Sequence, residues 1–103
     1  MLRVTDYIRI PDAELRERFV LAGGPGGQNV NKVASAVQLR FAVTTSPNLP
    51  EAVRTRLLRQ ARTRINQAGE LVIDARRYRS QERNRADARE RLRYRTALHG
   101  GLG

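Results

Sequence analysis

The sequence predicts a single small α+β domain, and three observations predict it. Val37, Leu39, Phe41 and Val43 alternate with Gln38, Arg40 and Ala42, the period of a strand with one buried face. Val53, Leu57, Ala61 and Ile65 recur at every fourth residue between Glu51 and Ala68, the period of an amphipathic helix. Leu71-Val72-Ile73 follows as another short strand, so strand, helix and strand succeed one another as a crossover unit. The expected architecture is a mixed sheet of about four short strands packed by one amphipathic helix, with a second helix at the C-terminal end.

The elements follow in order along the chain. Tyr7-Ile8-Arg9-Ile10 alternates and then meets Pro11-Asp12, which predicts a short strand with Ile8 and Ile10 inward. A turn or single helical turn follows over Ala13-Glu14-Leu15. Arg18-Phe19-Val20-Leu21 is the second strand, and it stops at Ala22-Gly23-Gly24-Pro25-Gly26-Gly27, which no regular element survives. The third strand is the alternating run from Val37 to Val43, and Thr44-Thr45-Ser46-Pro47-Asn48-Leu49-Pro50 is a loop by composition. The helix over Glu51–Ala68 carries Arg54, Arg56, Arg59, Arg62 and Arg64 mostly off its apolar stripe and is closed by Gly69. Such a basic face is a solvated surface or an RNA contact, and salt sensitivity separates the two. Ser80 is the expected N-cap of the last helix, which runs to about Leu98 before Gly100-Gly101. Its inward stripe reads Gln81, Arg85, Ala88 and Leu92; with two of these polar, weak docking is expected. Asp87 and Arg91 form an i,i+4 pair in the favourable orientation, contributing about 0.3 kcal/mol.

Composition narrows the function. A chain of 103 residues holds one compact domain with a modest core, and 20 Lys and Arg against 10 Asp and Glu leave a net charge of +10. That charge points to a phosphate-rich partner, with nucleic acid foremost. Absence of Cys removes disulfides, thiolate nucleophiles and zinc-thiolate sites, and fits a reducing compartment. The N-terminal residues lack the apolar run of a signal peptide, and no segment approaches the roughly 20 apolar residues of a membrane span. The expected location is the cytoplasm.

The residues also exclude most familiar active sites. His99 is the only histidine and stands next to a Gly-rich end, a poor place to hold a general base. The carboxylates are scattered, so no metal is expected, and the glycines lack P-loop or dinucleotide spacing, so no cofactor is expected either. What remains is a loop almost bare of side chains until Gln28-Asn29-Val30-Asn31-Lys32, able to bring backbone N–H groups close to a substrate. Gly-Gly-Gln by itself is a weak signal, equally readable as a hairpin turn.

Its surroundings strengthen it. Ile10-Pro11-Asp12-Ala13-Glu14-Leu15, then Gly24-Pro25-Gly26-Gly27-Gln28-Asn29-Val30-Asn31-Lys32 and Ser35-Ala36-Val37-Gln38-Leu39-Arg40-Phe41, closely resemble the catalytic domain of class I peptide chain release factors. A second block, Tyr78-Arg79-Ser80-Gln81 with Asn84-Arg85 and Ala88, resembles the signature that follows in the same domain. The match runs from about Tyr7 to Leu92 with nothing left for a codon-reading domain, so the resemblance is closest to the small codon-independent ribosome-rescue hydrolases. Residues 1–98 are expected to form the catalytic domain and 99–103 a flexible remnant. Relatives carry a basic C-terminal tail that is not seen after Leu92, which implies either a truncated chain or a different way of sensing the ribosome. Gly23 replaces a commonly polar residue, implying a more flexible loop.

The resemblance implies an enzyme that hydrolyses the peptidyl-tRNA ester at the peptidyl-transferase centre of the large ribosomal subunit. Gly26, Gly27 and Gln28 are then the catalytic residues. The backbone N–H of Gln28 would stabilise charge near the ribose oxygen, and its side chain would shape a pocket that admits water. Asn29, Asn31, Lys32, Arg40, Arg79 and Arg85 are candidate contacts to ribosomal RNA, although Arg79, Ser80, Gln81, Asn84 and Arg85 suit docking of the helix they open better than RNA contact. A monomer is expected. Two other readings stay open: a non-catalytic RNA-binding module, and a release-factor fragment that needs a codon-recognition partner.

Overall fold

A computed structural model describes residues 1–21 and 34–97. The α+β class holds, but the sheet is not mixed. β1 (Leu2–Arg3) and β2 (Arg9–Ile10) form an antiparallel pair of their own, and β3 (Leu15–Val20), β4 (Ala36–Ala42) and β5 (Glu70–Ala75) form a three-stranded antiparallel sheet in that order. Two-residue β1 is too short to leave an alternating pattern. Its turn is held by Thr5 Oγ1, which accepts hydrogen bonds from the backbone N–H groups of Tyr7 at 3.1 Å and Ile8 at 3.0 Å. Ile8 and Ile10 are buried as expected, and Asp12–Glu14 forms the single helical turn.

β4 and β5 are antiparallel neighbours and are not joined by the expected crossover. An 18-residue helix would carry the chain about 27 Å and return it at the far end of the sheet. Helix α1 spans only Glu51–Gln60, about 15 Å, and β5 starts beside the end of β4, with Ala42 opposite Glu70. A single 3-10 turn, Arg62–Arg64, follows α1, and Asn66 then turns the chain back. Its Oδ1 accepts hydrogen bonds from the N–H groups of Ala68 at 3.0 Å and Glu70 at 2.9 Å, offering the backbone a turn in place of a helix. Gly69 completes that turn with φ 80°, where a Cβ would collide with the Thr44 side chain. Ile65 leaves the helical stripe and instead bridges to Leu71.

The helix that covers the sheet is the last one, α2 (Gln81–Ala97), which lies over β4 and β5 and reaches β1. Its inward residues are Asn84, Ala88, Leu92 and Thr96, spaced by four, each buried to within 1%. Ala88 and Leu92 were expected there; Arg85 is exposed and Asn84 takes the inward place. The expected weak docking therefore does not hold, because the polar members of the stripe are fully bonded. Thr96 Oγ1 donates to the Leu92 carbonyl at 2.8 Å, and Asn84 is described below. Packed under α2 are Val37, Leu39, Phe41, Leu71, Ile73 and Ala75 of the sheet, in one core with Ile10, Leu15 and Leu57.

Two of the helix arginines expected on a basic outer face turn inward. Arg54 donates to the carbonyls of Val43, Ser46 and Leu49, fixing the loop between β4 and α1. Arg56 is buried and donates to the carbonyls of Arg95 at 3.2 Å and Thr96 at 2.6 Å, so α1 satisfies open carbonyls in the last turn of α2. Burial lowers the Arg56 pKa from its ordinary value. Arg59, Arg62 and Arg64 remain exposed. No helix among the described residues is long and apolar enough to cross a membrane.

Candidate active site

β3 and β4 are neighbours paired up to Val20 and Ala36, so the segment between them starts and finishes at adjacent strand ends. Gly26, Gly27, Gln28, Asn29, Asn31 and Lys32 belong to that segment and lie outside the described residues, as do His99 and the expected 99–103 remnant. The described residues show what holds the two stems.

The returning stem is held by side chains of α2. Gln81 Nε2 donates to the carbonyl of Ala34 at 2.6 Å, and Asn84 Nδ2 donates to the carbonyl of Ser35 at 2.7 Å. The same Nδ2 donates to the Tyr78 carbonyl at 2.8 Å, while Asn84 Oδ1 accepts from the Tyr78 N–H at 2.9 Å. A carboxamide with two N–H donors and one acceptor is the chemical group this buried position requires; a carboxylate lacks the donors and a leucine lacks both. Ser80 caps the helix as expected, its Oγ accepting from the Arg83 N–H at 3.2 Å.

The outgoing stem is tied to the same helix through charge. Glu17, inward-facing on β3 beside Leu15, accepts hydrogen bonds from Arg85 Nε and Arg89 Nε, each at 2.8 Å. Arg89 also reaches Asp12 at 3.2 Å, where the Met1 ammonium lies at 2.7 Å. The Asp12 carboxyl is held below its ordinary value of 3.8, first by its hydrogen bond from that ammonium and then by Arg89. Salt bridges this exposed are individually worth little, but Glu17 is only 12% exposed and shares two guanidiniums.

The remaining sequence candidates fall in different places. Arg85 is bound to Glu17, and its side chain stays 50% exposed. Arg79 is exposed just ahead of α2, beside Tyr78, whose ring has the guanidinium carbons of Arg77 and Arg83 over it at 5.9 and 5.8 Å. Arg40 lies on the sheet face turned away from α2, bonded to Gln38 at 3.1 Å and 3.7 Å from Glu70; it is about 13 Å along β4 from the stem at Ala36. Sequence reasoning missed Glu17 and Arg89. Their signal was a carboxylate two residues past inward Leu15, with arginines four apart on the facing helix.

Comparison with known families matches residues 3–99 to the RF-1 domain. A curated relative, the peptidyl-tRNA hydrolase ArfB of Pseudomonas putida, is 49% identical over 92 residues, covering 89% of this chain and 66% of that protein. The large ribosomal subunit protein mL62 of Mus musculus is 38% identical over 84 residues, covering 82% of this chain and 41% of that protein. A chloroplastic peptide chain release factor of Arabidopsis thaliana is 36% identical over 75 residues, covering 73% and 16%. The chain thus spans no more than 66% of the length of these relatives.

Proposed function

The chain belongs to the RF-1 domain family, and on that premise we propose that it hydrolyses the ester between nascent peptide and tRNA on stalled ribosomes, without reading a stop codon. The observation that carries this reading is the 49% identity, over 89% of the chain, to a peptidyl-tRNA hydrolase. The stems support it, because Glu17 on β3 and Ala34 ahead of β4 are both tied to one helix and a reactive loop gains from a fixed base.

In this reading Gly26, Gly27 and Gln28 act at the large-subunit peptidyl-transferase centre. The Gln28 N–H donates to charge developing near the ribose oxygen of the terminal adenosine, a donor worth about 3 kcal/mol. The Gln28 side chain shapes a pocket that admits water to the acyl carbon and excludes larger nucleophiles. No ionisable side chain is needed, because ribosomal RNA and the tRNA supply the rest of the surface. Gly26 and Gly27 let the backbone approach the tRNA end where a Cβ would intrude.

Asn29, Asn31, Lys32 and Arg79 contact RNA phosphate or sugar, with Arg85 doing so through the edge that Glu17 leaves open and Arg40 from the opposite sheet face. The net charge of +10 suits that partner. Residues 1–98 form the catalytic domain, and the protein works in the cytoplasm as a monomer with no cofactor. Single-turnover release from ribosomes carrying peptidyl-tRNA and an empty A site tests the reading. Release without a stop codon is the expected result. Release only with a stop codon and a codon-reading protein marks a release-factor fragment, and binding without release marks an RNA-binding module; either outcome overturns the proposal.

A further inference from the structure

We infer that Gln81 and Asn84 are positioning residues for the hydrolysis, acting through the carbonyls of Ala34 and Ser35 rather than on the substrate. The inference rests on the reading of Gly26-Gly27-Gln28 as the reacting group, and it concerns what holds the described base of that segment.

Four observations carry it. Two successive carbonyls, Ala34 and Ser35, are each bound by a side chain, at 2.6 and 2.7 Å, and both side chains come from the first turn of α2. One bond to a strand end leaves the backbone free to rotate about it, whereas two bonds to successive peptides from a single rigid helix fix position and orientation together. Second, Asn84 is itself fixed: it is 0% exposed, and its carboxamide makes two further bonds, both to Tyr78. Third, the outgoing stem is referred to the same helix, because Glu17 binds Arg85 and Arg89 one helical turn apart. Fourth, the hydrogen bonds of the β3–β4 ladder stop at Val20 and Ala36, so beyond that rung the α2 side chains take over the holding of the chain.

Chemistry that relies on a backbone N–H has no side chain with which to adjust its aim, so the position of the donor depends on the chain that carries it. Five residues separate Gln28 from Ala34. A stem that can shift by a fraction of an ångström transmits the shift to the donor, and reactions that depend on near-attack geometry lose rate steeply with such displacement. A loosened stem affects the chemical step and leaves ribosome binding intact, since the Gln81 and Asn84 carboxamides are bonded to the protein's own backbone.

The test compares four proteins by single-turnover release from stalled ribosomes over a range of protein concentrations: unaltered chain, Gln81→Met, Thr96→Val and Gly27→Ala. Gln81→Met keeps length and volume, and removes the donor at a half-buried site where folding is least at risk. Thr96→Val removes a buried hydrogen bond at the far end of the same helix and serves as the control for lost stability alone. The expected result is a saturating rate about tenfold lower for Gln81→Met, with the half-saturating concentration unchanged and Thr96→Val at the unaltered rate. A Gln81→Met rate within about twofold of the unaltered protein overturns the inference, as does a loss shared equally by Thr96→Val or one confined to half-saturation. If the unaltered chain and Gly27→Ala release alike, the catalytic reading fails and this inference with it. If Gly27→Ala alone is slow, only the positioning role is refuted.

Discussion

Asn84 shows how much one side chain decides here. A carboxamide buried at the start of a helix looks costly, yet all its bonding capacity toward Ser35 and Tyr78 is used. Asn84→Leu keeps the branched outline with added bulk and leaves those backbone groups unpaired in the interior, so it should destabilise the fold by about 2 kcal/mol and lower the melting temperature by roughly 10 °C, as measured by calorimetry. The residue types in this block were legible in the sequence, but their inward direction was not. Arg85 and Asn84 are adjacent, and a helical stripe shifted by one residue fits the apolar pair Ala88 and Leu92 equally well. The Asp12 carboxyl titrates below the ordinary 3.8 because the Met1 ammonium and Arg89 favour its charged form. A depressed carboxylate stabilises the fold fully above its unfolded pKa and loses that contribution as pH falls through the folded value. Unfolding midpoints followed from about pH 5 to about pH 2 should therefore fall less steeply for Asp12→Asn than for the unaltered chain.

At the level of elements, the arginines of α1 divide into two kinds that composition cannot separate. Arg54 and Arg56 donate to main-chain carbonyls of the preceding loop and of α2, whereas Arg59 projects outward. Arg54→Ala leaves the carbonyls of Ser46 and Leu49 without that donor and should lower stability by about 2 kcal/mol; Arg59→Ala should change it by less than about 0.5 kcal/mol. Chemical denaturation of the two variants side by side checks this. The alternation of Val37 to Val43 was legible because β4 is the central strand, hydrogen-bonded on both edges with one face buried under α2. The length of α1 was not, because Ile65 continues a four-residue period by coincidence while Asn66 and Gly69 turn the chain back. The short α1 and this turn together bring the chain back beside the end of β4, where β5 pairs antiparallel to it.

For the whole molecule, α2 is the organising element, gathering the sheet, the β1–β2 pair, α1 through Arg56 and both stems of the Gly-rich segment. The sequence made the functional candidate visible through motif and charge: Gly24 to Lys32 in a chain of net charge +10. It could not reveal the frame, because Glu17 with Arg85, and Gln81 with Ala34, are joined across 68 and 47 residues of chain. Single-turnover release with Gly27→Ala on ribosomes stalled without a stop codon decides whether backbone geometry at the Gly-Gly-Gln run carries peptidyl-tRNA hydrolysis. A saturating rate at least about 100-fold below that of the unaltered chain, with ribosome affinity retained, is the expected result. A rate within about twofold of the unaltered chain would contradict it.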